Sequence, residues 1–233
     1  MVRINPLPLG LTDLEQVVPQ GVHVFLIPKC ESRDEIKQVN EKISRLKEIT
    51  KIAHDIFLMP IIESSKGILN AIEIAGAAEN IVALAIGLED YTADLGVKRT
   101  FEGTESFYAR SHLVNVCKAY GIQAIDSVFS DVGDPEGLKQ TVVRSKSLGF
   151  EGMGCIHPRQ IPIIHGGYAP DAQEIERAKR IVKAFERATE EGLGVVSLGT
   201  KMIDPPVVER ALQTISLAVS LDKISEDWRL EDE

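Results

Sequence analysis

The feature that most constrains this chain is a set of short runs that are apolar almost end to end, separated by longer stretches of helical period. VHVFLI (22–27), IFLMPII (56–62) and IVALAIG (81–87) lack the polar alternation of a half-exposed antiparallel strand. Strands of this kind belong to parallel sheets covered on both faces. Further strand candidates lie at 2–5, 124–128 and 152–157, and the three runs extend to 22–28, 56–62 and 81–87. Between them, residues 33–49 repeat apolar positions at three and four, with Ser32 placed to cap and Glu35 to complete a capping box. Residues 66–77, 104–120 and 135–148 read the same way, and Gly121 and Gly149 stand where a helix commonly ends on glycine.

Strand–helix alternation predicts an α/β protein with parallel strands, either a closed barrel or an open doubly wound sheet. Two observations favour a TIM (β/α)8-type barrel. No glycine-rich phosphate loop follows the first strand. Polar and acidic residues also recur where strands end, at Lys29–Glu31, Glu63, Glu89–Asp90, Asp126 and His157, which is where a barrel gathers its chemistry. Six strands by residue 157 leave the barrel two short, and the rest reads as helix, over 172–191 and 207–219. The division expected is a barrel portion over 1–165 and C-terminal helices with a lid over 166–233, working as one functional unit. The acidic stretch 226–233 is expected to fray.

Composition excludes other classes. With 44% apolar and 26% charged residues the chain is not a disordered one. Its formal charge of −9 disfavours nucleic acid and anionic membrane as partners, because both require a positive surface. No run approaches the length of a membrane span, and MVRINPLPLG carries no apolar leader core, so a cytoplasmic protein is expected. Cys30, Cys117 and Cys155 are odd in number and scattered, as buried thiols are, and form neither a disulfide framework nor a zinc motif.

Glu63 and the Glu89–Asp90 pair each follow an apolar run directly, on consecutive strands. Neighbouring parallel strands lie about 4.8 Å apart, so Glu63 and one of the other two could share a cation. Two carboxylates with room for water and substrate oxygens suit Mg2+. The ordinary alternative is that these acids are solvated loop residues or helix caps.

The segments VRIN (2–5), PKCES (28–32), PIIESSKGILNAIEIA (60–75), LAIGLEDYTADLG (84–96), EGTESFYAR (102–110), IQAIDSVFSDVGDPEGL (122–138), LGFEGMGCIHPRQI (148–161) and TKMIDPPVVERA (200–211) resemble successive blocks of the citrate lyase beta-subunit family. That family comprises citryl-CoA and citryl-acyl-carrier lyases, and is related to malyl-CoA and citramalyl-CoA lyases. The resemblance covers nearly the whole chain in order. It implies a Mg2+-dependent TIM barrel, represented here by strands 3–8 and a C-terminal lid, that cleaves a carbon–carbon bond in a β-hydroxyacyl thioester.

By the same resemblance, Glu63 and Asp90 are the metal ligands, Glu63 also facing substrate, and Arg3 grips a substrate carboxylate through two parallel hydrogen bonds, which lysine cannot copy. Asp204 matches an acid on a lid that, in malyl-CoA lyases, reaches a neighbouring subunit; it is the expected proton-transfer group, with Gly199 as hinge and Pro205–Pro206 as a stop. The residue could equally cap a helix starting at Val207. Asp126, His157 and Lys29 form a second tier, with Lys29 and Glu31 either lining the pocket or pairing with each other.

The expected partners are a CoA or acyl-carrier thioester, other copies of the chain in a trimer or hexamer, and other citrate lyase subunits. The family's first two strands, with an acidic motif ending the second, have no counterpart here. A truncated or misassigned amino terminus is the expectation, with a separate polypeptide or a degraded gene as alternatives. A non-catalytic assembly subunit, a malyl- or citramalyl-CoA lyase and a class II keto-acid aldolase are the rival functions.

Overall fold

Six parallel strands lie side by side in chain order: β1 (Val2–Arg3), β2 (Val24–Ile27), β3 (Phe57–Ile62), β4 (Ala83–Ile86), β5 (Gln123–Asp126) and β6 (Gly152–Met153). Each pairs with its neighbours in sequence, so β1 and β6 form the edges of a curled half-barrel sheet. The computed structural model describes residues 1–190, 192, 196–198 and 201–229. They form two compact units, 1–164 and 165–233.

In the first unit the connections are α1 (Gly10–Val17), α2 (Arg33–Thr50), α3 (Ser65–Leu69), α4 (Ala71–Ala75), α5 (Leu88–Leu95), α6 (Phe107–Tyr120) and α7 (Pro135–Leu148). After β6 comes α8 (Ile161–Tyr168). The α2 start is the capping box read from sequence: Ser32 accepts from the Glu35 N–H, and the Glu35 carboxylate accepts from the Ser32 N–H. Gly121 and Gly149 end α6 and α7 with φ of 66° and 102°, a region glycine enters without a Cβ clash. The predicted 66–77 helix is two short ones broken at Asn70, whose side chain instead donates to the Glu31 carbonyl.

Alternate strand residues separate two faces. Phe25, Ile27, Leu58, Ile62 and Leu84 are fully buried. The opposite face, carrying Val24, Leu26, Met59, Ile61, Ala83, Ala85 and Ile125, forms a smaller cluster and lines a cavity of about 800 Å3. Uniform apolarity therefore marks strands that pack on both faces, though unequally.

The second unit contains α9 (Ala172–Glu190), a short antiparallel pair, β7 (Val196–Leu198) with β8 (Lys201–Ile203), and α10 (Pro205–Ser220). The hairpin corrects the reading of this region as helix alone, because three-residue strands carry too little pattern to register. Its core joins Ile181, Val182, Ile203, Val208, Ile215 and Trp228. Pro205 and Pro206 open α10 and do not act as a stop, since a first-turn proline gives up an N–H that has no helical partner. Gly199 and the tail beyond Arg229 lie outside the described residues.

Candidate active site

Glu63 follows β3 directly. Its neighbour Ser64 caps α3, accepting from the Gly67 N–H at 3.1 Å while its hydroxyl donates to Glu31 Oε1 at 2.7 Å. Glu31 also pairs with Lys66, at 3.1 Å. Glu31 therefore braces the turn that presents Glu63, and it does not pair with Lys29. Glu63 itself is only 8% exposed. Its side chain lies over Gly87, where a Cβ would come within 2.6 Å of Glu63 Cγ. The bare glycine backbone makes room for the carboxylate.

Gly87 also begins α5, which carries Asp90 in its first turn, where the helix dipole favours a negative charge. The Gly87 N–H donates to the Ile62 carbonyl at 3.0 Å, tying this turn to the strand that bears Glu63. Lys29, in the turn after β2, has a left-handed backbone, φ 51°, and its Nζ reaches Asp90 Oδ1 at 2.8 Å. The Arg3 side chain completes the group from the edge strand. Arg3, Asn5, Pro28, Lys29, Glu63 and Asp90 line one cavity of about 260 Å3. Asn5 fixes the turn after β1 by donating from its backbone and side chain to Asp13 Oδ2, at 2.7 and 2.9 Å.

Electrostatics follow from this packing. Burial, then the adjacent Asp90 charge, raises the Glu63 carboxyl to about 7, against the opposing pull of Lys29 and Arg3. The Lys29 hydrogen bond holds Asp90 below its ordinary value, and Asp90 in return raises Lys29. Two carboxylates forced together with one reluctant to ionise form a site that a cation would relieve. Among the described residues no group of three or more His, Cys, Asp and Glu gathers around a common point. A pair of carboxylates suits Mg2+, which keeps water and substrate oxygens in its shell, better than zinc, which takes three or four protein ligands.

Of the remaining predicted residues, Asp126 shares the lining of the larger cavity with Arg3, Glu63 and Asp90, while His157 and Asp204 serve as caps. Asp126 is 3% exposed, and its oxygens are taken by Arg110 Nε at 3.2 Å, Arg110 Nη2, Ser145 Oγ at 2.5 Å and the Ser127 N–H at 2.8 Å. His157 caps a short 3-10 turn, its Nδ1 accepting from the Arg159 N–H at 3.1 Å. Asp204 Oδ1 accepts from the Val207 N–H at 3.2 Å and caps α10. Glu89 turns to Arg99, at 2.8 Å, and leaves Asp90 facing Glu63. Gly87 carries a role that residue chemistry alone did not single out; its sequence signal was a glycine between an apolar run and two acids.

The fold and site together define a barrel-type α/β protein with paired acids at the C-terminal ends of adjacent strands. Residues 1–158 match the HpcH/HpaI aldolase/citrate lyase family, and the chain belongs to it. It is 41% identical to citrate lyase subunit beta of Escherichia coli K12 over 221 residues, covering 94% of this chain and 73% of that protein. It is 31% identical to the human mitochondrial citramalyl-CoA lyase over 232 residues, 94% of this chain and 68% of that one. Among solved structures it resembles the CitE protein of Mycobacterium tuberculosis in complex with magnesium, acetoacetate and coenzyme A. There the identity is 28% and the TM-score 0.74, over 93% of this chain and 77% of that one.

Proposed function

We propose that this protein is a Mg2+-dependent carbon–carbon lyase that cleaves citryl thioester to oxaloacetate and an acetyl thioester. The observation that carries this reading is the convergence of Glu63 and Asp90 from consecutive strands, with Arg3 and Lys29 beside them in one cavity. The magnesium and coenzyme A in the CitE complex support it. Glu63 and Asp90 would hold the ion, which supplies Lewis acidity toward the substrate hydroxyl and its neighbouring carboxylate.

The chain's own groups do the rest. The Arg3 guanidinium pairs with the substrate carboxylate and sets which carbon faces the acids. The hydroxyl on the cleaved carbon gives up its proton to a base, the carbon–carbon bond breaks, and its electron pair passes to the thioester enolate. The enolate then takes a proton and leaves as acetyl thioester. Asp204 is our candidate for the proton-transfer group. CoA or an acyl carrier would bear the thioester, and the protein would act in the cytoplasm as an oligomer or beside other citrate lyase subunits.

Calorimetry with Mg2+ and oxaloacetate tests this on the wild type and on Glu63→Ala. Metal-dependent oxaloacetate binding that the substitution abolishes is expected. Equal binding by both proteins removes Glu63 from the site. Release of oxaloacetate from citryl-CoA separates the enzyme from an assembly subunit, and a requirement for the thioester separates it from a keto-acid aldolase.

A further inference from the structure

The first turn of α5 has an unusual anchor. A helix start leaves its first N–H groups without partners, and Gly87, having no side chain, cannot cap them. The Leu88 N–H is instead satisfied from the next strand, donating to Ser127 Oγ at 3.1 Å in a buried bond. Asp90 stands two residues further along this turn.

Ser127 is itself held from behind. Its N–H donates to Asp126 Oδ1 at 2.8 Å, and the same carboxylate is gripped by Arg110 from α6 and Ser145 from α7. Ser127 is 5% exposed and Arg110 8%. A buried, fully satisfied network of this kind is rigid. Two helices and the end of β5 thus converge, through one hydroxyl, on the turn that presents Asp90. The Gly87 tie to Ile62 fixes this turn relative to Glu63, and the Ser127 tie fixes it relative to β5.

We propose that Ser127 is a positioning residue for the cation site, setting the height of Asp90 opposite Glu63 through the Leu88 N–H, with Asp126, Arg110 and Ser145 as its support. The proposal rests on the reading of Asp90 as a metal ligand. It gives Asp126 a role that touches neither substrate nor metal. Outer groups that orient metal ligands commonly carry about 10- to 100-fold in affinity, and a contact acting through backbone belongs at the low end.

The test titrates Mn2+ alone, followed by water-proton relaxation, into wild type, Ser127→Ala and Asp90→Asn, with thermal unfolding and amide exchange of Leu88 on each. Ser127→Ala is expected to weaken Mn2+ about tenfold and to deprotect the Leu88 amide, with its unfolding midpoint close to wild type. Ser127→Cys, similar in size and a weaker acceptor, is expected between the two, and decides the matter if the alanine variant does not fold. Wild-type Mn2+ affinity in Ser127→Ala, with binding lost in Asp90→Asn, overturns the positioning role alone. Wild-type affinity in Asp90→Asn overturns the metal-ligand reading and the proposal together.

Discussion

Lys29 Nζ lies 2.8 Å from Asp90 Oδ1, a contact joining the ends of two strands that are not neighbours in the sheet. The ammonium sits where it offsets negative charge that a divalent ion would also seek. Its removal should therefore act oppositely on the two ligands. Lys29→Met is expected to tighten Mg2+ by roughly threefold or more, as expected for losing a like charge near the ion, and to weaken oxaloacetate, which loses a cation. Calorimetry of Mg2+ alone, and then of oxaloacetate into the Mg2+-saturated protein, checks the opposed signs; a loss of both would show that Lys29 mainly orders Asp90.

Gly87→Ala should damage the site without unfolding the protein. Its backbone, φ −110° and ψ 97°, admits alanine, yet the added carbon would meet Glu63 Cγ at 2.6 Å. The Glu63 carboxylate must move. A tenfold or greater loss of Mg2+ affinity, on the scale of disturbed metal ligation, is expected with a nearly native circular dichroism spectrum.

Glu63 predicts a pH dependence. Its folded value of about 7 lies above its ordinary 4.5, so the metal-free protein favours the protonated acid. The stability this contributes is complete below pH 4.5 and is lost as pH rises toward about 7. Metal binding at pH 6 must expel that proton. Calorimetry in buffers of differing ionisation enthalpy should register nearly one proton released at pH 6 and little at pH 8.

Asp126→Asn should weaken the fold. It leaves the buried Arg110 guanidinium without its countercharge, and breaking a buried pair costs about 3–5 kcal/mol. Urea unfolding of the variant would measure that loss. A cost under about 1 kcal/mol would mean that solvent reaches Arg110.

The three thiols should differ sharply. Cys30 and Cys117 are buried, and burial pushes them up to about 12 and about 11; Cys155 is exposed. One thiol per chain should react with Ellman's reagent in native buffer and three in denaturant. Peptide mapping should place the fast label on Cys155.

Much of the fold was legible because it rests on local signals. The Ser32–Glu35 box, the glycines at 121 and 149 and the apolar strands each act over a few residues, and the family blocks singled out Glu63 and Asp90. The break at Asn70 and the three-residue strands β7 and β8 were not legible, because each depends on a partner outside the local pattern: the Glu31 carbonyl 39 residues from Asn70, and the pairing of one short strand with another.

By itself the sequence determined the six parallel strands, the longer helices, the family and which side chains could bear charge, since periodicity, capping and residue type are properties of the chain before it folds. Tertiary structure alone decided which charges meet. It placed Lys29 on Asp90 and not on Glu31, sealed Asp126 behind Arg110, and set Gly87 under Glu63. Contacts between residues dozens of positions apart follow from how strands and helices pack in three dimensions, which no local pattern encodes.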